Sequence, residues 1–166
     1  FETFPYIAAV SAAKRSGKTR FAEVLETIVR KPWRGTAPSP AAVYRYLEDA
    51  PTLLLDETEP LNAKNKSEMT QILLSVLNVG YRKGATVLKC DGTEHKPRRF
   101  PVYGPKLFAG IGRLPDTLMD RSIVVHMKRR TKSQKIGRFM QARVLREVKP
   151  LHDAIVRFAR RHRSLI

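Results

Sequence analysis

Ser11-Ala12-Ala13-Lys14-Arg15-Ser16-Gly17-Lys18-Thr19 follows an apolar run, Tyr6-Ile7-Ala8-Ala9-Val10. It leads into a segment that sets Phe21, Val24, Leu25, Ile28 and Val29 on one helical face. Strand, tight turn closing on Gly-Lys-Thr, then helix is the context that a phosphate-binding P-loop requires. Backbone N–H groups of such a turn point inward, and the helix N-terminus adds partial positive charge. Lys18 then offers a mobile ammonium to the β- and γ-phosphates, and Thr19 offers a hydroxyl to Mg²⁺. The full pattern begins with Gly five residues before Gly17, where this chain has Ala12. Ala fits that place if the turn there needs no positive φ.

A second element ends in Asp56, 37 residues beyond Thr19. Thr52-Leu53-Leu54-Leu55 is a short continuous apolar run, the pattern of a central strand buried on both faces of a parallel sheet. It ends in Asp56-Glu57. Opposite a phosphate loop, Asp56 would hold Mg²⁺ and Glu57 would polarise an attacking water. The plain alternative is a strand running into an acidic loop, which also contains Glu59. A third element, Leu114-Pro115-Asp116-Thr117-Leu118-Met119-Asp120-Arg121, reads as a short helix ending in Arg. Arg121 suits a finger reaching a neighbour's γ-phosphate, through its fixed fork of donors and permanent charge. It equally suits a salt bridge to Asp116, Asp120 or another local acid.

The rest of the chain supplies a frame for these elements. Lys31-Pro32 stops the first helix, and Trp33 to Pro38 reads as an irregular connection. Ser39-Pro40 reads as an N-cap and first-position Pro opening a helix through Tyr46 and Leu47. Over 65–79, Met69, Ile72, Leu73, Val76 and Leu77 form one stripe, with Gly80 as a C-terminal stop. Ala85 to Cys90 and Arg98 to Val102 read as two strands of a hairpin with a basic, polar tip at 91–96. Lys106 to Ile111 and Ser122 to Met127 are further strands. Beyond Lys128 two amphipathic helices are expected, over 133–148 and 151–163, separated by Lys149-Pro150.

Charge is the unusual quantity. The 166 residues carry 32 Lys and Arg against 15 Asp and Glu, a net +17. Between Arg121 and Ile166 there are fourteen Lys or Arg against only Glu147 and Asp153. Such an excess draws polyanions, nucleic acid first among them. Trp33 and the tyrosines are not interleaved with basic residues, so contacts to phosphates, largely independent of base sequence, are expected. His126, His152 and His162 show no metal-ligand spacing with one another or with Cys90. A single Cys excludes an internal disulfide framework and fits a reducing cytoplasm. No stretch approaches the ~18 apolar residues of a membrane span.

The chain resembles the AAA+ and superfamily III helicase-like ATPases of phages, prophages and plasmids. The closer resemblance is to a phage and actinobacterial family catalogued as a domain of unknown function. The resemblance rests on Ser16 to Arg20, Pro51 to Glu57, Arg98 to Phe100, Pro105-Lys106 and Ile111 to Ile123, in that order. It covers roughly residues 1–130. It implies an α/β fold of the P-loop NTPase, AAA+-like (ASCE) type: a parallel sheet flanked by helices, with a β-hairpin insertion. Residues 131–166 would add a small basic helical region. Start at Phe1, almost on the first strand, is expected of a piece of a longer protein, joined in mobile-element relatives to a primase or replication module.

The resemblance also implies a function: a cytoplasmic, helicase-like motor that binds and hydrolyses Mg-ATP and acts on DNA in replication of a mobile element. ATP and Mg²⁺ are the implied cofactors. Single-stranded DNA, held by its phosphates, and a homo-oligomer such as a hexameric ring are the implied partners. Ser16, Gly17, Lys18, Thr19, Arg20 and Asp56 would bind nucleotide, Thr19 and Asp56 the metal. Glu57, Lys18 and Arg121 would act in catalysis, and His95 and Lys96 would hold DNA from the hairpin tip. Two departures matter. Ala12 weakens the loop motif, and the sensor place three residues before Pro115, usually Asn in superfamily III proteins, is Gly112; Asn78 is a candidate substitute. Two rivals follow, an ATP-controlled switch or loader with weak hydrolysis, and a basic, non-enzymatic nucleic-acid-binding module with a vestigial P-loop.

Overall fold

The structure is a computed structural model that describes residues 2–36, 38–49, 51–91, 96–135 and 137–162. Five strands form one wholly parallel sheet: β1 (Tyr6–Ser11), β2 (Pro32–Thr36), β3 (Thr52–Asp56), β6 (Lys106–Ile111) and β7 (Ser122–His126). Their order is β2-β3-β6-β1-β7. A parallel sheet must be covered on both faces, and the strand residues divide accordingly. Ala9, Leu54, Leu107 and Ala109 face α1 (Lys18–Glu26), which lays Ala22 on them. Tyr6, Ala8, Val10, Leu53, Leu55 and Phe108 face a larger core. Over that core pack α2 (Pro40–Glu48), α3 (Glu68–Val79), α4 (Asp116–Met119) and the antiparallel hairpin of β4 (Thr86–Asp91) and β5 (Lys96–Pro101).

Several elements follow directly from their residues. Ser39 caps α2, its Oγ accepting from the Ala42 N–H at 3.3 Å, with Pro40 in the first turn. Ser67 caps α3 in the same way, accepting from Thr70 at 3.2 Å, so that helix begins at Glu68 and not at the expected 65. Met69 falls off the stripe and is exposed, while Leu73, Val76 and Leu77 are buried. In α1 the helix closes at Glu26, and Val24 faces outward. The hairpin is fixed to α2 by the Tyr44 and Phe100 rings, 5.8 Å apart, and by an Arg98–Glu48 ion pair at 2.6 Å.

Two expectations are corrected. Residues 32–36 are not irregular; they form the edge strand β2, in register with β3 from Pro32↔Thr52 to Thr36↔Asp56. Pro is tolerated at the first position of an edge strand, and an edge strand that buries little needs no apolar run. Its one large apolar side chain, Trp33, packs on Tyr46 with ring centroids 4.8 Å apart. Among the described residues the C-terminal region holds one helix, α5 (Gln141–Arg161), continuous through Pro150, and residues 133–135 and 137–140 are not helical. Pro150 removes one i→i−4 bond, but the bonds of a 21-residue helix on either side hold its path. No residue of α5 is buried, and Leu145, Leu151, Ile155 and Phe158 are exposed along it. Among the described residues no helix is long and apolar enough to cross a membrane.

At the end of the sheet where β1 begins, Lys106 is 2% exposed. Its ammonium donates to the carbonyls of Val102 (2.9 Å), Gly104 (3.0 Å) and Gly80 (3.2 Å), and lies 5.0 Å from the Tyr6 ring centroid. The Tyr6 hydroxyl donates to Leu77 O at 2.7 Å. One side chain thus joins the end of α3, the base of the hairpin and the starts of β6 and β1. Burial pushes the Lys106 amine from its ordinary 10.5 down to about 7. Between those values the unfolded chain holds a proton that the folded chain has released, so stability rises with pH across the window. The expected outcome is that Lys106→Met, which keeps the length without the charge, flattens this rise. Urea midpoints of both proteins, compared near pH 7 and at about pH 9.5, measure it; parallel pH profiles would contradict it.

Candidate functional site

The parallel register brings the two sequence motifs to the same end of the sheet. β6 lies between β1 and β3, pairing Ser11↔Ile111 on one side and Asp56↔Ala109 on the other. The ends of β1 and β3 are therefore two inter-strand steps apart, about 9.5 Å. Over them opens a cleft of about 640 Å³, lined by Lys14, Arg15, Lys18 and Thr19 from one segment. Asp56, Glu57, Glu59 and Pro60 line it from the other, with Gly110 and Ile111 between.

The 11–17 turn is built on backbone that few residues adopt. Arg15 has φ +59° and Gly17 has φ +88° at the N-cap of α1. Ala12 does not have positive φ, so the Cβ that departs from the usual pattern meets no backbone penalty. Lys18 is folded into this turn and only 8% exposed. Its Nζ donates to Ser11 Oγ at 2.6 Å and Ser16 Oγ at 3.2 Å, and reaches Ala13 O at 3.5 Å. Ser11 Oγ in turn donates to Ala13 O at 2.8 Å. Among the described residues no carboxylate lies within ion-pair distance of this ammonium. A buried cation satisfied by two hydroxyls and a carbonyl is solvated but not neutralised, which leaves it free to attract an anion entering the cleft.

Across the cleft, β3 is buried along its whole length and delivers Asp56, itself 9% exposed, to the rim. Asp56 Oδ1 accepts from the Glu57 N–H at 3.0 Å. Glu57 is exposed and has φ +56°. No family model matches this chain, and no curated protein does. What the site can do is therefore argued from its own geometry. Hydroxyl and carboxylate oxygens are the donors Mg²⁺ prefers, and Mg²⁺ takes only one or two carboxylates when phosphates supply the rest. Thr19 and Asp56 fit that use. Among the described residues no group of three or more His, Cys, Asp or Glu is placed to hold a metal alone.

The remaining predicted residues are placed elsewhere. Ser16 lies within the turn, its Oγ donating to Ala13 O at 3.2 Å. Arg20 does not line the cleft; it pairs with Glu23 at 2.6 Å and lies 4.0 Å from the Phe139 ring centroid. Gly112 has φ +81°, and its N–H donates to Ser11 O at 2.9 Å. That place is a left-handed turn closing β6 onto β1, a conformation that glycine adopts without steric cost. Asn78 and Arg121 stand at the far end of the sheet. Leu77 O is held by the Tyr6 hydroxyl, and Arg121 O accepts from Tyr6 N at 2.9 Å. Five strand residues, about 16 Å, separate Tyr6 from the turn at Ser11, so neither side chain serves the cleft of its own chain. The Arg121 guanidinium donates to Thr117 O and lies 4.9 Å from the Tyr81 ring centroid. Lys96 opens β5 in register with Asp91, and His95 lies outside the described residues.

Sequence reasoning passed over Ser11 and Glu59. Ser11, the last residue of β1, is the nearest partner of the Lys18 ammonium, and a Ser ending an apolar strand just before such a turn was its available signal. Gly17 carries the sharpest backbone demand of the site. An L side chain in that left-handed conformation costs about 1–2 kcal/mol, so Gly17→Ala should lower the melting temperature by about 2–8 °C. Thermal unfolding followed by circular dichroism checks this; an unchanged midpoint would mean that the turn relaxes freely.

Proposed function

We propose that the chain is a P-loop nucleoside-triphosphatase domain of the AAA+-like type, binding Mg-ATP in the cleft over β1, β6 and β3. One observation carries the reading: a buried lysine without an acidic partner and a carboxylate pair line a single cleft, two strand spacings apart. The turn before α1 receives the phosphates. Lys18 exchanges its hydroxyl contacts for phosphate oxygens, a charge-assisted replacement. Thr19 and Asp56 hold Mg²⁺, which supplies charge neutralisation of the phosphates when bound. Glu57 orients the attacking water and accepts its proton. Arg121, too far from its own cleft, serves the cleft of a neighbouring copy, which makes the working form a homo-oligomer. The net charge of +17 supports DNA as the track on which turnover is spent, contacted through phosphates.

A second reading, an ATP-controlled switch that turns over slowly, is favoured by Gly112. Its left-handed turn leaves the sensor place with no side chain to hold a water.

Fluorescent-nucleotide binding and phosphate release, with and without single-stranded DNA, test both. Lys18→Ala is expected to weaken ATP binding by about 10–100-fold. Glu57→Gln is expected to keep binding while lowering turnover by about 10²–10⁴-fold. Tight binding with negligible release in the parent protein selects the switch. DNA binding indifferent to ATP and to Lys18→Ala, with no nucleotide bound, would leave only a basic nucleic-acid-binding module.

A further inference from the structure

We propose that Glu59 is a positioning residue, a carboxylate clamp that docks the acidic turn onto the end of β6 and so fixes where Glu57 stands over the cleft. The inference rests on the ATPase reading for its catalytic consequence, but the clamp itself is a property of the nucleotide-free fold.

Glu57 needs such a device. Its φ of +56° is a conformation that non-glycine residues hold only where their neighbours enforce it. On its N-terminal side Asp56 is locked in the sheet opposite Ala109. On its C-terminal side two successive residues dock on β6. The Thr58 N–H donates to Ala109 O at 3.2 Å. Thr58 Oγ1 also lies 2.4 Å from where a Cβ on Gly110 would stand, an approach that only glycine permits. Glu59 Oε1 then accepts from the Ile111 N–H at 2.7 Å, a contact between residues 52 apart in sequence. Three consecutive residues of β6 are thus engaged by a turn that has already left the ladder, and Glu57 is arched between the two anchored ends.

The Glu59 bond also joins the two halves of the cleft. Ile111 precedes Gly112, whose N–H donates to Ser11 O at 2.9 Å, and Ser11 Oγ accepts from Lys18 at 2.6 Å. A short run of hydrogen bonds across the end of β6 therefore links the acidic turn to the root of the lysine. Ile111 N lies past the last β3–β6 pair, so no strand partner on that side replaces Glu59. Glu59 is the side chain through which a shift of one half is felt by the other. Its Oε1 acts as an acceptor only, a task that a Gln amide oxygen can also perform and an Ala cannot.

The test compares Glu59→Ala and Glu59→Gln with the parent protein and with Glu57→Gln, after thermal melts establish that each is folded. Glu59→Ala is expected to lower kcat by about 10–100-fold, the scale of a misplaced catalytic group, with the ATP dissociation constant within about twofold. Glu59→Gln is expected to retain most of kcat. In nucleotide-free protein, hydrogen exchange at the Ile111 amide should speed up by about 10-fold or more in Glu59→Ala and stay close to the parent rate in Glu59→Gln. Equal losses of kcat in both variants would overturn the assignment, because the charge would then act on the substrate directly. Unchanged Ile111 exchange in Glu59→Ala would overturn it as well. If parent and Glu57→Gln release phosphate at the same rate, the ATPase reading falls, and Ile111 exchange still decides the clamp.

Discussion

The position of β6 between β1 and β3 is the constraint on which the rest depends. All three strands run parallel, so all three end on the same side, and each delivers its following loop to a common opening. Had β3 paired with β1 directly, the lysine turn and the carboxylates would stand one strand spacing apart, about 5 Å, with no room for a chain of phosphates and a hydrated ion. Interposing one strand doubles the gap and floors it with the backbone of Gly110 and Ile111. Gly110 suits that floor, since without a Cβ it lets the Thr58 side chain close over it.

The two ends of the sheet are built differently. Arg15, Gly17, Glu57 and Gly112, all with positive φ, lie in the segments around the cleft. Lys31, Gly84 and Gly104 also have positive φ and lie outside the cleft lining, so such turns are not confined to that end. The other end is filled instead of opened. Lys106 spans three carbonyls under the Tyr6 ring, and Tyr6 reaches α3. Burial that pushes the lysine and the Tyr6 hydroxyl away from their charged forms marks a dry, closed base.

Much of this frame was legible in the residues. Apolar runs ending in turn signals located β1, β3, β6 and β7 to within a residue, and Ser39-Pro40 marked its helix start because capping is a local matter. The juxtaposition of the Lys18 and Asp56 segments was foreseen from motif spacing. What escaped depended on tertiary surroundings. β2 reads as loop because this edge strand buries no residue fully and so needs no apolar run. Pro150 reads as a boundary because its cost is local, whereas the bonds that carry α5 through it are spread over the helix. Glu59 looked like one more acid in a polar loop, since a bond to a backbone N–H 52 residues away leaves no periodic trace.

One consequence of α5 concerns how the molecule behaves in bulk. Its Leu145, Leu151, Ile155 and Phe158 face water along a helix whose other side carries Arg143, Arg146, Lys149, Arg157, Arg160 and Arg161. With a net charge of +17, copies of such a molecule repel one another although these apolar side chains are uncovered. Added electrolyte shortens the reach of that repulsion to about 8 Å at physiological strength, while kosmotropic anions make contact between greasy stripes more favourable. Colloidal behaviour should thus turn over with ionic strength, salt first dissolving charge-driven complexes and then drawing the helices of separate molecules together.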